Sequence, residues 1–405
     1  MSDDQIKGDG AIRRQSLYGS SIENTYAGVL SFMRRNYTRN LDGVDVAVSG
    51  IPLDLSVTYR SGARQGPQAI RAASVQLAEL KPYPWGFDPF DDLAVIDYGD
   101  CWFDAHNPLT IKPSIIEHAR TILASGAKML TFGGDHFVTY PLLIAHAEKY
   151  GKPLALLHFD AHCDTWPDDE PDSLNHGTMF YKAVKEGLID PAKSVQVGIR
   201  TWNDDFMGLN VLGAPWVHDN GVDATIAEIK KTIGDAPVYV TFDIDCLDPA
   251  FAPGTGTPVC GGLSTAQALE ILGGLRGINL VGMDVVEVAP AYDHADITAI
   301  ASVATHLHAR GLTHGDLYAH NILCDEQGNG LLGDFGAASF YPQDGSETAA
   351  ALQRIEVRAF GVLLGELLAR CAERPAGWKA VQARCVQPQV LDRPDFAQIA
   401  QALAG

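Results

Sequence analysis

The sequence lacks the features that mark membrane, secreted and nucleic-acid-binding proteins. No uninterrupted apolar run is long enough to span a bilayer, and the N-terminus, MSDDQIKGDG, has neither the basic start nor the apolar run of a secretory signal. The 7 cysteines form no CxxC pair, which favours reduced thiols in the cytoplasm. Basic residues are in the minority, since 30 Lys and Arg oppose 50 Asp and Glu and give a formal net charge of -20. This balance argues against nucleic acid and anionic membranes as partners and tolerates a small cationic ligand.

Apolar runs alternate with helical patterns between residues 41 and 304. A chain of 405 residues with 46% hydrophobic residues suits one large domain and a smaller one. Seven runs rich in Val, Ile and Leu are almost continuous, as strands buried on both faces should be; they cover residues 44–51, 93–99, 128–134, 153–160, 194–200, 237–245 and 279–288. Helix-like segments such as 66–80 and 264–275 lie between them, and Ser264 is the expected N-cap of the latter. The pattern predicts an α/β domain with a parallel sheet over 41–304, after an N-terminal extension over 1–40.

Acidic residues and histidines cluster where three of these strands end. Sites gather at the carboxyl ends of parallel strands, and alternate residues of an extended segment point to the same side. Side chains two residues apart in DAHCD (160–164) and in FDID (242–245) can therefore converge, and GGDH (133–136) adds a histidine. The candidate metal ligands are His136, Asp160, His162, Asp164, Asp243 and Asp245.

The charge of this set indicates two metal ions. A lone aspartate at a strand end usually caps a turn, but that explanation does not suit six residues in three clusters. Four buried carboxylates would repel one another without cations, and two divalent ions would balance them. Oxygen-rich sites with a minority of imidazole suit manganese better than zinc. The sequence therefore predicts two Mn²⁺ per subunit, about 3.5–4 Å apart, sharing a water whose pKa they lower.

The motifs GGDH, DAHCD and FDIDCLDPAFAPGTGTP (242–258) resemble those of the ureohydrolase family, which includes arginases and agmatinases. NHGTMFY (175–181) and GMDVVEVAPAYD (282–293) extend the resemblance, which covers about residues 40 to 300. It implies a three-layer α/β/α sandwich, binuclear manganese and a homo-oligomer. It also implies hydrolysis of a guanidino compound to urea and an amine, by attack of a metal-bridging hydroxide on the guanidinium carbon.

The same resemblance assigns roles to individual residues. One manganese would be held by His136, Asp160, Asp164 and Asp243. The other would be held by Asp160, His162, Asp243 and Asp245, so that Asp160 and Asp243 bridge the ions. His176 matches the histidine that relays a proton to the leaving amine, and Glu287 matches the glutamate that binds the guanidinium. A structural histidine and an internal salt bridge are the alternatives for these two positions.

The loop after the DAHCD motif predicts the substrate. Trp166 stands where arginases place an asparagine, and the next residues, 167–172, are strongly acidic. Asp168 and Asp169 are the candidate substrate contacts, because such a loop would repel a carboxylate and attract an ammonium. This favours agmatine, giving putrescine, over arginine and guanidinobutyrate. Another ureohydrolase activity and a non-catalytic scaffold remain as alternatives, since a charge run is also typical of a solvated surface.

Residues 305–405 resemble a different family, the C-terminal lobe of protein kinases. In HGDLYAHN (314–321), Asp316 matches the catalytic base and Asn321 a magnesium ligand, while Asp334 begins a DFG motif. Tyr318 replaces the usual lysine, and nothing upstream supplies the glycine-rich loop and phosphate-binding lysine of an N-lobe. We expect little or no phosphoryl transfer from this segment, because that reaction needs those parts placed together.

Overall fold

A nine-stranded parallel sheet forms the centre of the first of two compact units, Met1–Arg310 and Gly311–Gly405. The computed structural model describes residues 8–19, 23–78, 81–82, 86–151, 153–293, 322–324, 330–332, 358 and 378–394. The strands are β1 (Asn36–Tyr37), β2 (Val46–Ile51), β3 (Val95–Asp100), β4 (Lys128–Gly133), β5 (Ala155–Phe159), β6 (Val195–Val197), β7 (Asn210–Leu212), β8 (Val238–Asp243) and β9 (Leu280–Val286). Their order across the sheet is β1-β3-β2-β4-β9-β8-β5-β6-β7.

The seven predicted strands are all present and occupy the middle of the sheet. The two edge strands, β1 and β7, are two and three residues long and have no apolar run that would reveal them. Pairing of β1 with β3 brings part of the predicted N-terminal extension into the first unit, where Phe32 and Met33 are buried in the core.

Helices cover both faces of the sheet, so the unit has three layers. They are α1 (Gly10–Arg13), α2 (Gly66–Ser74), α3 (Pro89–Asp92), α4 (Ile111–Ala124), α5 (Thr139–Tyr150), α6 (Met179–Lys185), α7 (Ala214–Ile233) and α8 (Thr265–Gly274). One core cluster joins α2, α7 and α8 to the sheet through Ile70, Ile229 and Ile271, and the other joins α4, α5 and α6 through Ile115, Leu142 and Phe180. Consecutive strand residues such as Leu156 and Leu157 fall in different clusters, as the alternation of a strand requires. The predicted α/β/α sandwich is confirmed.

Local sequence signals set the beginnings of the helices as expected. Ser264 caps α8, since its Oγ accepts from the backbone N–H of Gln267 at 3.2 Å and the Gln267 side chain accepts from the Ser264 N–H, forming a capping box. Pro67 lies in the first turn of α2, where a missing N–H is tolerated.

In the second unit the structure describes an antiparallel strand pair and one helix. Strand β10 (Ile322–Cys324) pairs with β11 (Gly330–Leu332), and α9 spans Trp378–Cys385. Asp316, Asn321 and Asp334 of the kinase-like motifs lie outside the described residues, so the kinase resemblance stays a prediction. Among the described residues of either unit, no helix has the length and apolar character needed to cross a membrane.

Candidate metal centre

The predicted ligands come together at the carboxyl ends of three strands near the middle of the sheet. His136 opens a 3-10 turn just after β4, Asp160 directly follows β5, and Asp243 is the last residue of β8. Strand β9 lies between β4 and β8 and contributes Glu287 immediately after its end. The parallel arrangement thus brings residues that lie between positions 136 and 287 together at the carboxyl ends of the strands.

His136 faces three carboxylates. Its Nδ1 lies 3.0 Å from Asp160 Oδ2, 3.0 Å from Asp164 Oδ2 and 3.3 Å from Asp243 Oδ2. All four side chains are buried. This group matches the ligand set that the family resemblance assigns to one ion.

A second group lies beside the first and shares one of its carboxylates. His162 Nδ1 is 3.2 Å from Asp160 Oδ1 and 3.1 Å from Asp245 Oδ2. Asp160 thus directs one oxygen to each group, which is the geometry expected of a bridging carboxylate. Asp243 directs Oδ2 toward His136, and its Oδ1 lies on the side of the second group, where it accepts from the Asp245 backbone N–H at 2.8 Å.

The electrostatics of the cluster suit cations. Burial, and then the charges of Asp245 and Asp160, raise the pKa of Asp243 well above its usual value. Burial alone would also raise the pKa of Asp160, but His158 and His136 outweigh it and lower that pKa. Nδ1 of His136 is buried and forms no hydrogen bond with any described residue. A buried imidazole nitrogen without a hydrogen bond, amid carboxylates whose charges repel, fits a divalent metal and explains why these groups are tolerated here.

A chain of hydroxyls fixes the other side of the His136 ring. Its Nε2 lies 2.9 Å from Thr241 Oγ1, and this hydroxyl donates to Asp284 Oδ1 at 2.5 Å. Asp284 is fully buried and also accepts from Thr139 Oγ1 and the Tyr239 hydroxyl, each at 2.9 Å. Because the Thr241 proton is committed to a carboxylate, Nε2 of His136 must be the donor, which leaves the Nδ1 lone pair for a metal.

His158 is part of the site although the sequence motifs assigned it no role. Its Nε2 lies 2.7 Å from Asp160 Oδ2, and its Nδ1 faces the Gln196 amide at 3.0 Å. The same Gln196 nitrogen donates to the Cys163 carbonyl at 2.7 Å, so it is an NH₂ group and Nδ1 of His158 must accept. His158 therefore donates through Nε2 to Asp160. The signal was present, since His158 shares the two-residue spacing of Asp160, His162 and Asp164.

His176 and Glu287 form a pair beside the metal cluster. His176 Nδ1 lies 2.9 Å from Glu287 Oε1, which also accepts from the His136 backbone N–H at 2.9 Å. His176 Nε2 lies 2.9 Å from Thr58 Oγ1. Although burial lowers the pKa of His176, the Glu287 carboxylate raises it above the usual value.

Glu287 has the features of a binding residue. It is buried, and its Oε2 has no hydrogen-bond partner among the described residues. Its φ of 61° and the φ of 54° at Asp164 place both in the left-handed region, a strained conformation that often occurs at functional sites. Among the described residues, the ion-pair partner of Glu287 is His176, and no arginine is paired with it.

Asp135 is a further buried carboxylate beside this pair. Burial, and then the charge of Glu287, raise its pKa to about 6. Its Oδ2 accepts from the Ser56 backbone N–H at 3.0 Å, which holds the loop after β2 against the site.

A cavity of about 290 Å³ opens onto the cluster. Its lining residues are Thr58, His162, Asp164, Trp166, Asn175, His176, Gly177, Thr178, Asp243 and Thr257. A shallower groove of about 530 Å³ lies beside α4 and is lined by residues such as Arg39, Trp102 and His118, with none of the predicted site residues.

The acidic loop does not supply the cavity with the carboxylates that its sequence predicted. Asp168 accepts hydrogen bonds from Ser173 and Thr178, and its Oδ2 lies 3.2 Å from Lys182 Nζ. Asp169 accepts from the Tyr181 hydroxyl at 2.9 Å. Neither aspartate lines the cavity. Residues of α6 engage both carboxylates, Asp168 through buried Lys182 and Asp169 through the Tyr181 hydroxyl. A substrate contact from either aspartate stays a prediction.

Residues 44–310 match the model of the arginase family. A match over more than half of the chain, together with the parallel sheet and the His/Asp cluster, shows that the chain belongs to the arginase family. The predicted ureohydrolase resemblance is therefore confirmed for this part of the chain, as is the prediction that the protein is an enzyme of that family.

Individual relatives narrow the position of the chain within the family. It is 90% identical over 302 residues to an agmatinase of Chromobacterium violaceum, covering 75% of this chain and 94% of that protein. A solved structure described as a hypothetical agmatinase of Burkholderia thailandensis is 77% identical with a TM-score of 0.74, covering 74% of this chain and 96% of that one. Proclavaminate amidino hydrolase from Streptomyces clavuligerus is 40% identical with a TM-score of 0.67, covering 70% of this chain and 96% of the other.

Proposed function

We propose that this chain is a manganese-dependent agmatinase that hydrolyses agmatine to putrescine and urea. The observation that carries the proposal is a cavity lined by members of a His/Asp cluster suited to two cations and by His176. His176 contacts buried Glu287, whose Oε2 has no hydrogen-bond partner among the described residues. The 90% identity to an agmatinase of Chromobacterium violaceum supports the substrate.

Two Mn²⁺ suit the donor set, which is rich in oxygen and includes imidazole. His136, Asp160, Asp164 and Asp243 would hold one ion, and Asp160, His162, Asp243 and Asp245 the other. When bound, the pair of ions would supply an activated water as nucleophile for the guanidinium carbon, a poor electrophile. His158 orients Asp160 by a hydrogen bond, and Thr241 orients His136 in the same way.

Glu287 would bind the guanidinium. Its Oε2 has no other partner among the described residues, and a charge-assisted hydrogen bond from the substrate would satisfy it. Its Oε1 is held by the His136 backbone N–H and by His176. The carboxylate is thus fixed before substrate arrives, which reduces the entropy lost on binding.

His176 would carry the proton of the reaction. A carbon–oxygen bond forms between water and the guanidinium carbon, and the bond from that carbon to the nitrogen of the aminobutyl chain breaks. Both protons of the water end on the departing nitrogen, one of them relayed by His176, so this nitrogen leaves as the ammonium of putrescine while neutral urea remains. His176 lines the cavity between Glu287 and Thr58, and imidazole both accepts and donates protons near neutral pH.

The charge of the cavity supports agmatine over its acidic analogues. Arginine and guanidinobutyrate each carry a carboxylate, which needs a cationic or strongly donating partner when it leaves water. Among the described residues that line the cavity there is no lysine or arginine. The positive amine of agmatine, unlike a carboxylate, is not repelled by the lining residues Asp164 and Asp243.

Urea release tests the proposal. Metal-free protein would be reloaded with Mn²⁺, Zn²⁺ or Mg²⁺ and assayed with agmatine, arginine and 4-guanidinobutyrate, with metal content measured in parallel. We expect two manganese per chain and the highest kcat/KM for agmatine. Arginine as the best substrate would favour the arginase alternative, and absence of both metal and urea would favour the scaffold.

A substitution in the cluster tests whether Asp243 binds metal. Asp243→Asn is expected to lose manganese and urea release together, because it removes a charge facing His136 Nδ1 and adjoining Asp245. Retention of both manganese ions in this variant would contradict the assignment. We further expect a homo-oligomer, as the resemblance implies, which light scattering would measure.

A further inference from the structure

The cavity contains no acidic side chain reserved for the far end of the substrate. Its lining carboxylates are Asp164 and Asp243, and both face His136 within the proposed metal cluster. Asp168 and Asp169 are engaged with residues of α6 and lie outside the lining. The distal ammonium of a guanidinoalkylamine therefore has no ion-pair partner among the described lining residues that the metals do not already need.

Trp166 presents a different kind of cation partner. It lines the cavity two residues after Asp164, and half of its surface (50%) is exposed. Indole is the strongest cation-binding ring among side chains, because its π face carries partial negative charge. Lys or Arg side chains lie over six other rings of the described residues, but none is found over Trp166.

Backbone contacts place the indole beside His176. The backbone N–H of Trp166 donates to the Gly177 carbonyl at 3.1 Å. The ring rests on Gly177, where an added Cβ would lie 3.3 Å from the indole Cδ1. The preceding residue is fixed as well, since Thr165 Oγ1 donates to the Asp205 carbonyl at 2.8 Å and accepts from Asn203. Gly177 directly follows His176, so these contacts hold the ring next to the catalytic histidine.

Building on the proposed function, we propose that the Trp166 indole binds the distal ammonium of the substrate and so selects guanidinoalkylamines. Its face attracts an ammonium and repels a carboxylate, which distinguishes agmatine from guanidinobutyrate without an acidic residue. The arginase pattern has asparagine at this position, a residue that donates hydrogen bonds to a carboxylate instead. Trp166 is then a residue that determines specificity, and the acidic loop is not.

The experiment compares two substrates that differ only at the distal end. Agmatine and 1-butylguanidine have the same guanidinium and the same four-carbon chain, but only agmatine has an ammonium. In Trp166→Leu we expect KM for agmatine to rise about 2- to 30-fold, the range of a cation–π contact. KM for 1-butylguanidine and both kcat values should stay within about twofold of wild type, since leucine retains an apolar surface. Trp166→Phe, which keeps a ring with a weaker face, should give an intermediate KM for agmatine.

Trp202→Leu is the matched control, because Trp202 is 77% exposed and does not line the cavity. It should leave both KM values unchanged. Equal rises for the two substrates in Trp166→Leu, or no rise for agmatine, would overturn the inference while leaving the agmatinase proposal intact. Wild-type protein that releases no urea from agmatine would overturn the proposed function and the inference with it.

Discussion

Substitution of Thr241 tests whether the fold orients His136, a proposed metal ligand, before metal binds. Its hydroxyl donates to Asp284 and lies 2.9 Å from His136 Nε2, so it links a buried carboxylate to the imidazole. Thr241→Val keeps the shape and removes the hydroxyl. His136 then loses the acceptor that fixes its tautomer and ring orientation, and Asp284 loses one of three hydroxyl donors.

The expected loss follows from the role of such contacts at metal sites. Removing a group that orients a ligating histidine lowers metal affinity by about 10- to 100-fold. The metal-free protein should also lose about 1–3 kcal/mol of unfolding free energy, because a buried N–H and a buried carboxylate each lose a partner. Chelator competition would give the manganese affinity, and urea unfolding of metal-free protein would give the stability.

Thr131→Val provides the matched control. Thr131 on β4 and Thr241 on β8 both pair in register with Asp284 on β9, one on each side. Both are fully buried, but Thr131 Oγ1 has no hydrogen-bond partner among the described residues. Thr131→Val should therefore leave manganese affinity unchanged. If the two variants bound manganese equally well, the hydroxyl chain would have no part in preparing His136.

Three further predictions concern catalysis, pH and the acidic loop. His176→Asn should lower kcat about 100- to 10,000-fold with both manganese ions retained, because it removes the proton carrier and no proposed ligand; a parallel loss of metal would contradict the shuttle role. Burial lowers the pKa of His146 to about 4, so the unfolded chain binds this proton more tightly and stability falls as pH drops below 6.5. By pH 5 the loss should be about 2 kcal/mol relative to His146→Leu, measured by urea unfolding at pH 7.5 and 5, and parallel pH curves would refute it. Asp168→Asn should reduce unfolding free energy by about 1–3 kcal/mol, since buried Lys182 keeps its hydrogen bonds to Glu170 and Ser173 but loses the charge of Asp168, without changing KM for agmatine; a tenfold rise in KM would support a substrate role for the acidic loop.

The sequence was sufficient wherever a signal was local or periodic. Continuous apolar runs predicted the seven inner strands, because residues buried on both faces leave an unbroken pattern. Ser264 with Gln267 predicted the start of α8, because capping depends on neighbours three residues apart. Two-residue spacing at strand ends predicted the ligand set, because alternate residues of an extended segment point to the same side. The short edge strands β1 and β7 were missed, since two or three residues carry no period.

Only the tertiary structure shows which charged side chains are paired within the protein and which are available to a ligand. Asp168 and Glu287 are both carboxylates in candidate site motifs, yet Asp168 pairs with Lys182, while Glu287 Oε2 has no hydrogen-bond partner in the part of the chain that the structure describes. Their partners lie 14 and more than 100 residues away in sequence, so no local pattern reveals them. The sequence by itself determined the fold class and the family and predicted the candidate ligand set, because these rest on spacing along the chain. Only the structure shows the orientation of His136, the contacts of His158 and the exposure of Trp166, because hydrogen bonds and exposure depend on which distant segments pack together.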